Sequence, residues 1–224
     1  MSNEASKTKL LWGEFEHKIL SGKGIDIGCG SDPITESVKR FEIEDGDANE
    51  ITRYIHEDFD FVFSCHVLEH MNNPEKALKE WWALVKPGGY LIFIVPDEDL
   101  YEQGYFPSVF NRHHNATFTI SKEKSWSPNS YNLLDLVKCL KNGSLAKIQL
   151  QDRGYNRNFL NHSRYSGEVA RVGGRLTRKL AHVSKMFGLS EHFLRNLFRL
   201  PIDQTSGDAV AQIEVIVKKY ANCV

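Results

Sequence analysis

The sequence predicts an α/β fold, an open and mostly parallel sheet with helices on both faces, and three observations carry that expectation. Gly24 to Asp32 reads Gly-Ile-Asp-Ile-Gly-Cys-Gly-Ser-Asp, an apolar strand running into a glycine turn. Phe59 to Ser64 and Tyr90 to Val95 are near-continuous apolar runs, as a sheet covered on both faces requires. Between them Ala77, Leu78, Trp81, Leu84 and Val85 recur at helical spacing, so strand and helix alternate. With 224 residues, 41% hydrophobic and 25% charged, the chain fits a single domain spanning 1–224. A net charge of -1 and a pI near 6.8 give no global reason to expect a nucleic-acid partner. Cys29, Cys65, Cys139 and Cys223 form no CxxC pair, and the start does not resemble a signal peptide, which favours a reduced, cytoplasmic setting. No run approaches the length of a membrane span.

Taken in order, Leu10, Leu11, Phe15 and Ile19 predict one amphipathic helix beside the first strand. In the glycine turn, Gly28 and Gly30 supply backbone freedom and let a nucleotide-like ligand approach the main chain. A dinucleotide fingerprint would place a third glycine at position 33, where Pro33 stands. Pro33 suits the first turn of a short helix over 34–38, followed by a short strand, Arg40 to Glu44. The strand from Phe59 ends at Cys65 and His66, on the carboxyl edge where open α/β sheets place ligands. His66, Glu69 and His70 spell His-x-x-Glu-His, an inverted zincin pattern. That pattern needs a long helix, whereas Pro74, with Asn72 and Asn73 as caps, begins a new one, so no metal is expected.

The helix of 74–85 is stopped by Lys86-Pro87-Gly88-Gly89, and the next strand ends in Pro96-Asp97-Glu98-Asp99-Leu100-Tyr101 on the same ligand edge. Residues 102–132 read as a substrate cover, in which His113 or His114 can take a proton near neutral pH. A helix over 132–140 and a strand over 145–151 follow, and 209–219 forms the last strand. Between them, 154–206 is a basic insertion, helical by the spacing of Val169, Val172, Leu176, Leu180 and Val183. Its arginines, Arg171 and Arg175 among them, suit an anionic small-molecule acceptor, or peripheral contact with an anionic membrane surface.

The glycine turn, Phe59 to His70 with Leu68-Glu69-His70, and Leu84 to Phe93 with Lys86-Pro87-Gly88-Gly89 occur in series. Over about residues 23 to 100 they resemble the class I S-adenosylmethionine-dependent methyltransferases, in particular a small group with Leu-Glu-His after the fourth strand. The resemblance implies a Rossmann-like sheet whose last two strands form an antiparallel hairpin, here interrupted by the insertion. It also implies S-adenosylmethionine as cofactor, with Gly28, Cys29 and Gly30 at its amino-acid end and Asp26 bracing the turn. Glu42, or Glu44 in a shifted register, would accept the ribose hydroxyls, with Asp47 and Ala48 over the adenine and Cys65 and His66 on the methyl side. Glu69, Asp97 and Tyr101 would face the acceptor. One departure is visible: the helix and strand that normally separate the ribose acid from the adenine loop have almost no residues, so the sheet should be reduced near its second strand. The implied activity is methyl transfer to a small acceptor such as a sugar, nucleotide-linked or phosphorylated intermediate of surface-polysaccharide synthesis. The alternatives are an NAD-dependent oxidoreductase and a non-catalytic cofactor-binding or interaction domain.

Overall fold

A computed structural model describes residues 3–160, 165–166 and 201–221. The chain opens with two short helices, α1 (Glu4–Lys9) and α2 (Glu14–Ile19), and enters the sheet through β1 (Gly24–Ile27) and β2 (Lys39–Phe41). A 3-10 turn (Ala48–Arg53) leads to β3 (Phe59–Cys65), a second 3-10 turn (Leu68–His70), α3 (Pro74–Ala83) and β4 (Val85–Pro96). Three short strands follow, β5 (Tyr105–Phe106), β6 (Thr117–Thr119) and β7 (Ser130–Asn132), then α4 (Leu133–Lys138), β8 (Gly143–Gln151), β9 (Tyr165–Ser166) and β10 (Gln212–Lys219).

Six strands form the main sheet in the order β2-β1-β3-β4-β10-β8. The pairs from β2 through β4 are parallel, and β10 runs antiparallel to both β4 and β8. The crossover of each parallel pair brings the carboxyl ends of β1, β3 and β4 to one edge, and the site is built there. Alternation sorts the side chains onto two faces. Val62, Leu91, Phe93, Val95 and Ile213 pack under α3 and α4, with Trp81 fully buried among them. Phe61, Phe63, Ile92, Ile94 and Ile216 pack on the other face, against Ala5, Trp12 and Ile19 of the N-terminal segment.

Several expectations shift in register or fail. The single N-terminal amphipathic helix is two helices, because Gly13 restarts the chain as the cap of α2, its N–H donating to Glu16 Oε2 at 2.9 Å. Leu10 is accordingly 69% exposed, and Phe15 is exposed as well. No helix forms over 34–38, where Ile34 and Val38 are buried in turns instead, and the second strand begins at Lys39 and ends at Phe41. The third layer element beyond β2 is indeed absent: the chain passes from β2 to a 3-10 turn that Asp47 caps through Asn49 N at 2.8 Å. Most of the basic insertion of 154–206, with Arg171 and Arg175, lies outside the described residues. Among the described residues no helix is long and apolar enough to cross a membrane.

Candidate active site

β1 delivers Asp26 into the sheet interior and then turns sharply. Gly28 sits at φ 73° with its N–H donating to Phe41 O at 2.8 Å, and a Cβ there would meet Val67 Cγ2 at 2.5 Å. Gly30, at φ 57°, donates its N–H to Glu42 Oε1 at 2.8 Å and faces open space where a Cβ would stand. The same Glu42 oxygen accepts from Cys29 Sγ at 3.1 Å. Burial, with Glu42 beside it, pushes the Cys29 thiol up to about 12, so it stays protonated. Asp26 accepts from Ile34 N at 2.7 Å through Oδ2, but its buried Oδ1 has no hydrogen-bond partner. Burial raises its pKa to about 7.

A cavity of about 120 Å³ lies against this turn, walled by Asp26, Gly28, Cys29, Cys65 and His66 and roofed by Glu4 and Ala5 of α1. α1 is held in place by Ser6, whose N and Oγ donate to Asp32 at 2.8 and 2.5 Å, and by Lys9 Nζ, which donates to Ile34 O at 3.1 Å. Thr8 Oγ1 lies 3.9 Å from Cys65 Sγ, a thiol whose pKa burial raises well above its ordinary value. Asp47 is exposed, and Ala48 O accepts from Trp81 Nε1 at 2.9 Å.

A second cavity, about 580 Å³, opens beside the first and shares Glu4 and His66 with it. His66 is the residue after β3 and holds φ 56°, a left-handed conformation costly for a side chain of this kind, with its N–H bonded to Ile94 O at 3.0 Å. One turn later Glu69 is fully buried and neither of its carboxylate oxygens has a hydrogen-bond partner. Three imidazoles surround it. His66 Nδ1, His114 Nε2 and His70 Nε2 lie 3.4, 3.9 and 4.0 Å from Glu69 Oε1. Each ring is held through its other nitrogen: His66 Nε2 by Gln212 Oε1 at 2.9 Å, His70 Nδ1 by His113 O at 2.9 Å, and His114 Nδ1 by Glu102 Oε1 at 2.6 Å. Burial opposes charge on both His66 and Glu69, yet Glu69 raises the His66 pKa and His66 lowers that of Glu69.

The loop carrying His114 is pinned to this turn by main-chain bonds. Glu69 O accepts from Asn115 N at 2.7 Å and Ala116 N at 3.2 Å, and Asn115 Nδ2 donates to His70 O at 2.7 Å. Tyr101 stacks on His114 with ring centroids 5.3 Å apart and lines the larger cavity.

Of the two histidines expected in the cover, His114 is buried in the cluster, while His113 is exposed and contributes its carbonyl. Asp97 does not line either of these cavities. Its Oδ1 accepts from Asp99 N and Leu100 N, and burial lifts its pKa to about 6. Two residues escaped the sequence reading, and a third, Glu98, was read only as one of the acids on the ligand edge. Glu102 orients His114, Gln212 orients His66, and Glu98 gathers Thr117, Lys122, Ser125 and Ser130 into the cover. Gln212 and Glu214 interrupt the apolar last strand, a signal that could have found them, whereas nothing in the spacing around Glu102 distinguishes it.

Residues 32–93 match a protein-family profile described as a methyltransferase domain. No curated protein matches the chain in sequence. Among solved structures, a candidate methyltransferase from Bacillus halodurans C-125 is similar at 13% identity, with 97% of this chain and 100% of that chain covered and a TM-score of 0.53. S-adenosylmethionine-dependent methyltransferases from Methanosarcina mazei and Archaeoglobus fulgidus are 12% and 14% identical, with TM-scores of 0.49 and 0.47. They cover 94% and 97% of this chain and 99% and 95% of their own. At such identities the likeness to the Bacillus structure speaks to the fold.

Proposed function

We propose that this chain is a class I S-adenosylmethionine-dependent methyltransferase, a reading supported by its fold and by the methyltransferase domain matched over residues 32–93, and that it methylates a hydroxyl- or amine-bearing small molecule held in the larger cavity. One observation carries the reading: His66 forms part of the wall of both the cavity at the glycine turn and the larger one beside it, so cofactor and acceptor would meet across it.

The residues at the glycine turn fit the cofactor. Asp26 Oδ1, buried and unpartnered at the small cavity, suits the ammonium of a methionyl group, and the open side of Gly30 admits a ligand to the main chain. Glu42 is the carboxylate for the ribose hydroxyls. At about 120 Å³ the cavity is smaller than the ~300 Å³ at which small-molecule sites begin, so α1 has to lift to admit the whole cofactor. A dinucleotide is disfavoured, since no helix follows β1 to aim an N-terminus at a pyrophosphate.

When bound, S-adenosylmethionine supplies an electrophilic methyl carbon, which an acceptor oxygen or nitrogen takes as the carbon–sulfur bond breaks toward sulfur. The chain has mainly to hold the acceptor in line, where orientation can be worth on the order of 7 kcal/mol or more. The proton that a hydroxyl or amine gives up has the Glu69, His70 and His114 group beside it, with Glu102 steadying the imidazole of His114. The described wall carries Glu4, Glu69, Asp203 and Asp208 against Lys7, which favours a neutral, hydroxyl-rich acceptor such as a sugar unit. Charge on a nucleotide-linked or phosphorylated sugar would have to be met by Arg171 and Arg175.

The test is a transfer screen in which the protein and S-adenosylmethionine are incubated with sugars, sugar phosphates, nucleotide sugars and amines, and products are read by mass spectrometry. A methylated sugar supports the acceptor class. Calorimetry that finds no S-adenosylmethionine binding would overturn the whole reading.

A further inference from the structure

We infer that Glu69, His70 and His114 form a binding site for a divalent transition-metal ion of the zinc class, with an open coordination position facing the larger cavity. One ligand atom from each of these residues lies within 4.8 Å of the others, and Glu69 and His114 are buried.

The hydrogen-bond partners assign the tautomers. His113 O can only accept, so His70 carries its proton on Nδ1, and Nε2 turns a lone pair toward Glu69. The Glu102 carboxylate accepts from His114 Nδ1 and leaves His114 Nε2 in the same state. Gln212 donates its Nε2 to Thr8 Oγ1 and Gln151 Oε1 at 2.8 and 2.7 Å, which turns its Oε1 to accept from His66 Nε2. The Nε2 lone pairs of His70 and His114 therefore converge on a buried carboxylate with no hydrogen-bond partner of its own. Such a set of donors suits a cation at its centre, and an imidazole whose far N–H is fixed by a carboxylate or carbonyl is the usual setting of a metal-bound histidine.

The ligand atoms, within 4.8 Å of one another, would draw in by up to about 1.4 Å around an ion. Ligand atoms ~2.1 Å from a tetrahedral ion lie about 3.4 Å apart, against 3.9 and 4.0 Å from Glu69 Oε1 to the two Nε2 atoms here. Two nitrogens and one carboxylate oxygen select a zinc-like ion over magnesium or calcium, and three protein ligands leave a fourth position free. Long-helix geometry, which the His-x-x-Glu-His pattern would demand, is not needed, because the loop at 113–116 brings in His114 and is bonded to the backbone of the Leu68–His70 turn. The proposed methyl transfer enters only in what the open position would bind, an acceptor oxygen or nitrogen whose proton then leaves to solvent, the ligands' lone pairs being taken by the ion; the site itself is tested without cofactor or acceptor.

The full chain is purified without chelator and its metal content measured, then stripped and titrated with zinc by calorimetry, and loaded with cobalt(II) for its visible spectrum. The expected result is about one zinc site per chain and a cobalt spectrum of low-coordinate nitrogen and oxygen ligation. Glu69→Gln, His70→Gln and His114→Gln, each checked for an unchanged circular dichroism spectrum, should weaken zinc by 100-fold or more. Glu102→Gln should weaken it by ~10- to 100-fold, and His113→Ala, which keeps its carbonyl, should not. The proposal is overturned if the stripped wild-type chain binds no zinc, or if the folded Glu69 and His114 variants hold it as tightly as the wild type. Failure of methyl transfer with zinc bound would sink the functional reading and leave the metal site standing.

Discussion

Glu102 Oε1 stands 2.6 Å from Nδ1 of His114, with both side chains almost wholly out of solvent. The contact joins the first residues of the cover to the loop that lines the larger cavity, and it fixes which nitrogen of His114 faces Glu69. Replacing Glu102 with glutamine keeps the volume but lets the ring rotate or change tautomer. The expected outcome is a 10- to 100-fold loss in kcat with S-adenosylmethionine affinity unchanged, measured by steady-state kinetics beside calorimetry. Equal losses in both would mean that the contact merely supports the fold.

Asp26 gives a prediction with a sign. Its carboxyl titrates near 7 in the folded chain against an ordinary 3.8. Because the folded value is the higher one, protonation favours the folded state, and this contribution is complete below about pH 4 and lost as the pH rises through about 7. Asp26→Asn removes it while keeping an acceptor for Ile34 N. The unliganded variant should be more stable than the wild type at pH 8, by up to ~4 kcal/mol, and the difference should vanish toward pH 4. Urea midpoints across that range measure it. The variant should also bind S-adenosylmethionine at least 10-fold more weakly, since a neutral amide cannot pair with an ammonium.

The two turn glycines should behave differently. Gly28→Ala strains a positive φ and drives a methyl into Val67, so it should cost more stability than Gly30→Ala, which pays only the left-handed strain of about 1–2 kcal/mol. Gly30→Ala should leave a folded protein with weakened cofactor binding, because its added methyl occupies the open side. A Gly30 variant with full affinity would remove the cofactor from this turn.

Ser6 and Asp32 act as a latch on α1. Ser6→Ala should speed both association and release of S-adenosylmethionine in stopped-flow fluorescence. An unchanged pair of rate constants would show that the cofactor enters by another route.

The arginines of the insertion can be tested by changing Arg171 and Arg175 together. A raised KM for a phosphorylated acceptor, with cofactor affinity unaltered, is the expected outcome if they meet its charge. Loss of binding to anionic vesicles with KM untouched would favour the membrane instead.

The sheet was legible in the sequence because its signals are local. Phe59 to Ser64, Tyr90 to Val95 and the last strand are apolar runs of strand length, and Pro74 and Asn73 announce the start of α3, with Asn73 Oδ1 accepting from Lys76 N as a cap. The missing element beyond β2 was legible too, since too few residues separate Phe41 from Asp47 to build it. The break between α1 and α2 was not, because Leu10 and Phe15 continue a helical period that Gly13 and its bond to Glu16 interrupt. Cys65, His66 and Glu69 could be placed at the site by strand direction alone. Their partners could not: His114 reaches Glu69 from 45 residues away in sequence, with Glu102 behind it, through a cover with no periodicity to read.

Three residues of the N-terminal segment find their partners almost a full chain length away. Lys7 Nζ donates to Thr205 O, Thr8 Oγ1 accepts from Gln212 Nε2, and Trp12 Nε1 donates to Glu214 Oε1, across separations of 198, 204 and 202 residues. Closing loops of that length is slow and cannot begin until the distant partner exists. Although α1 is synthesised early and can reach Asp32 and Ile34 through Ser6 and Lys9, its bonds to Thr205 and Gln212 wait until β10 has inserted between β4 and β8. The roof over the glycine turn thus gains its full set of bonds only once the final strand has paired.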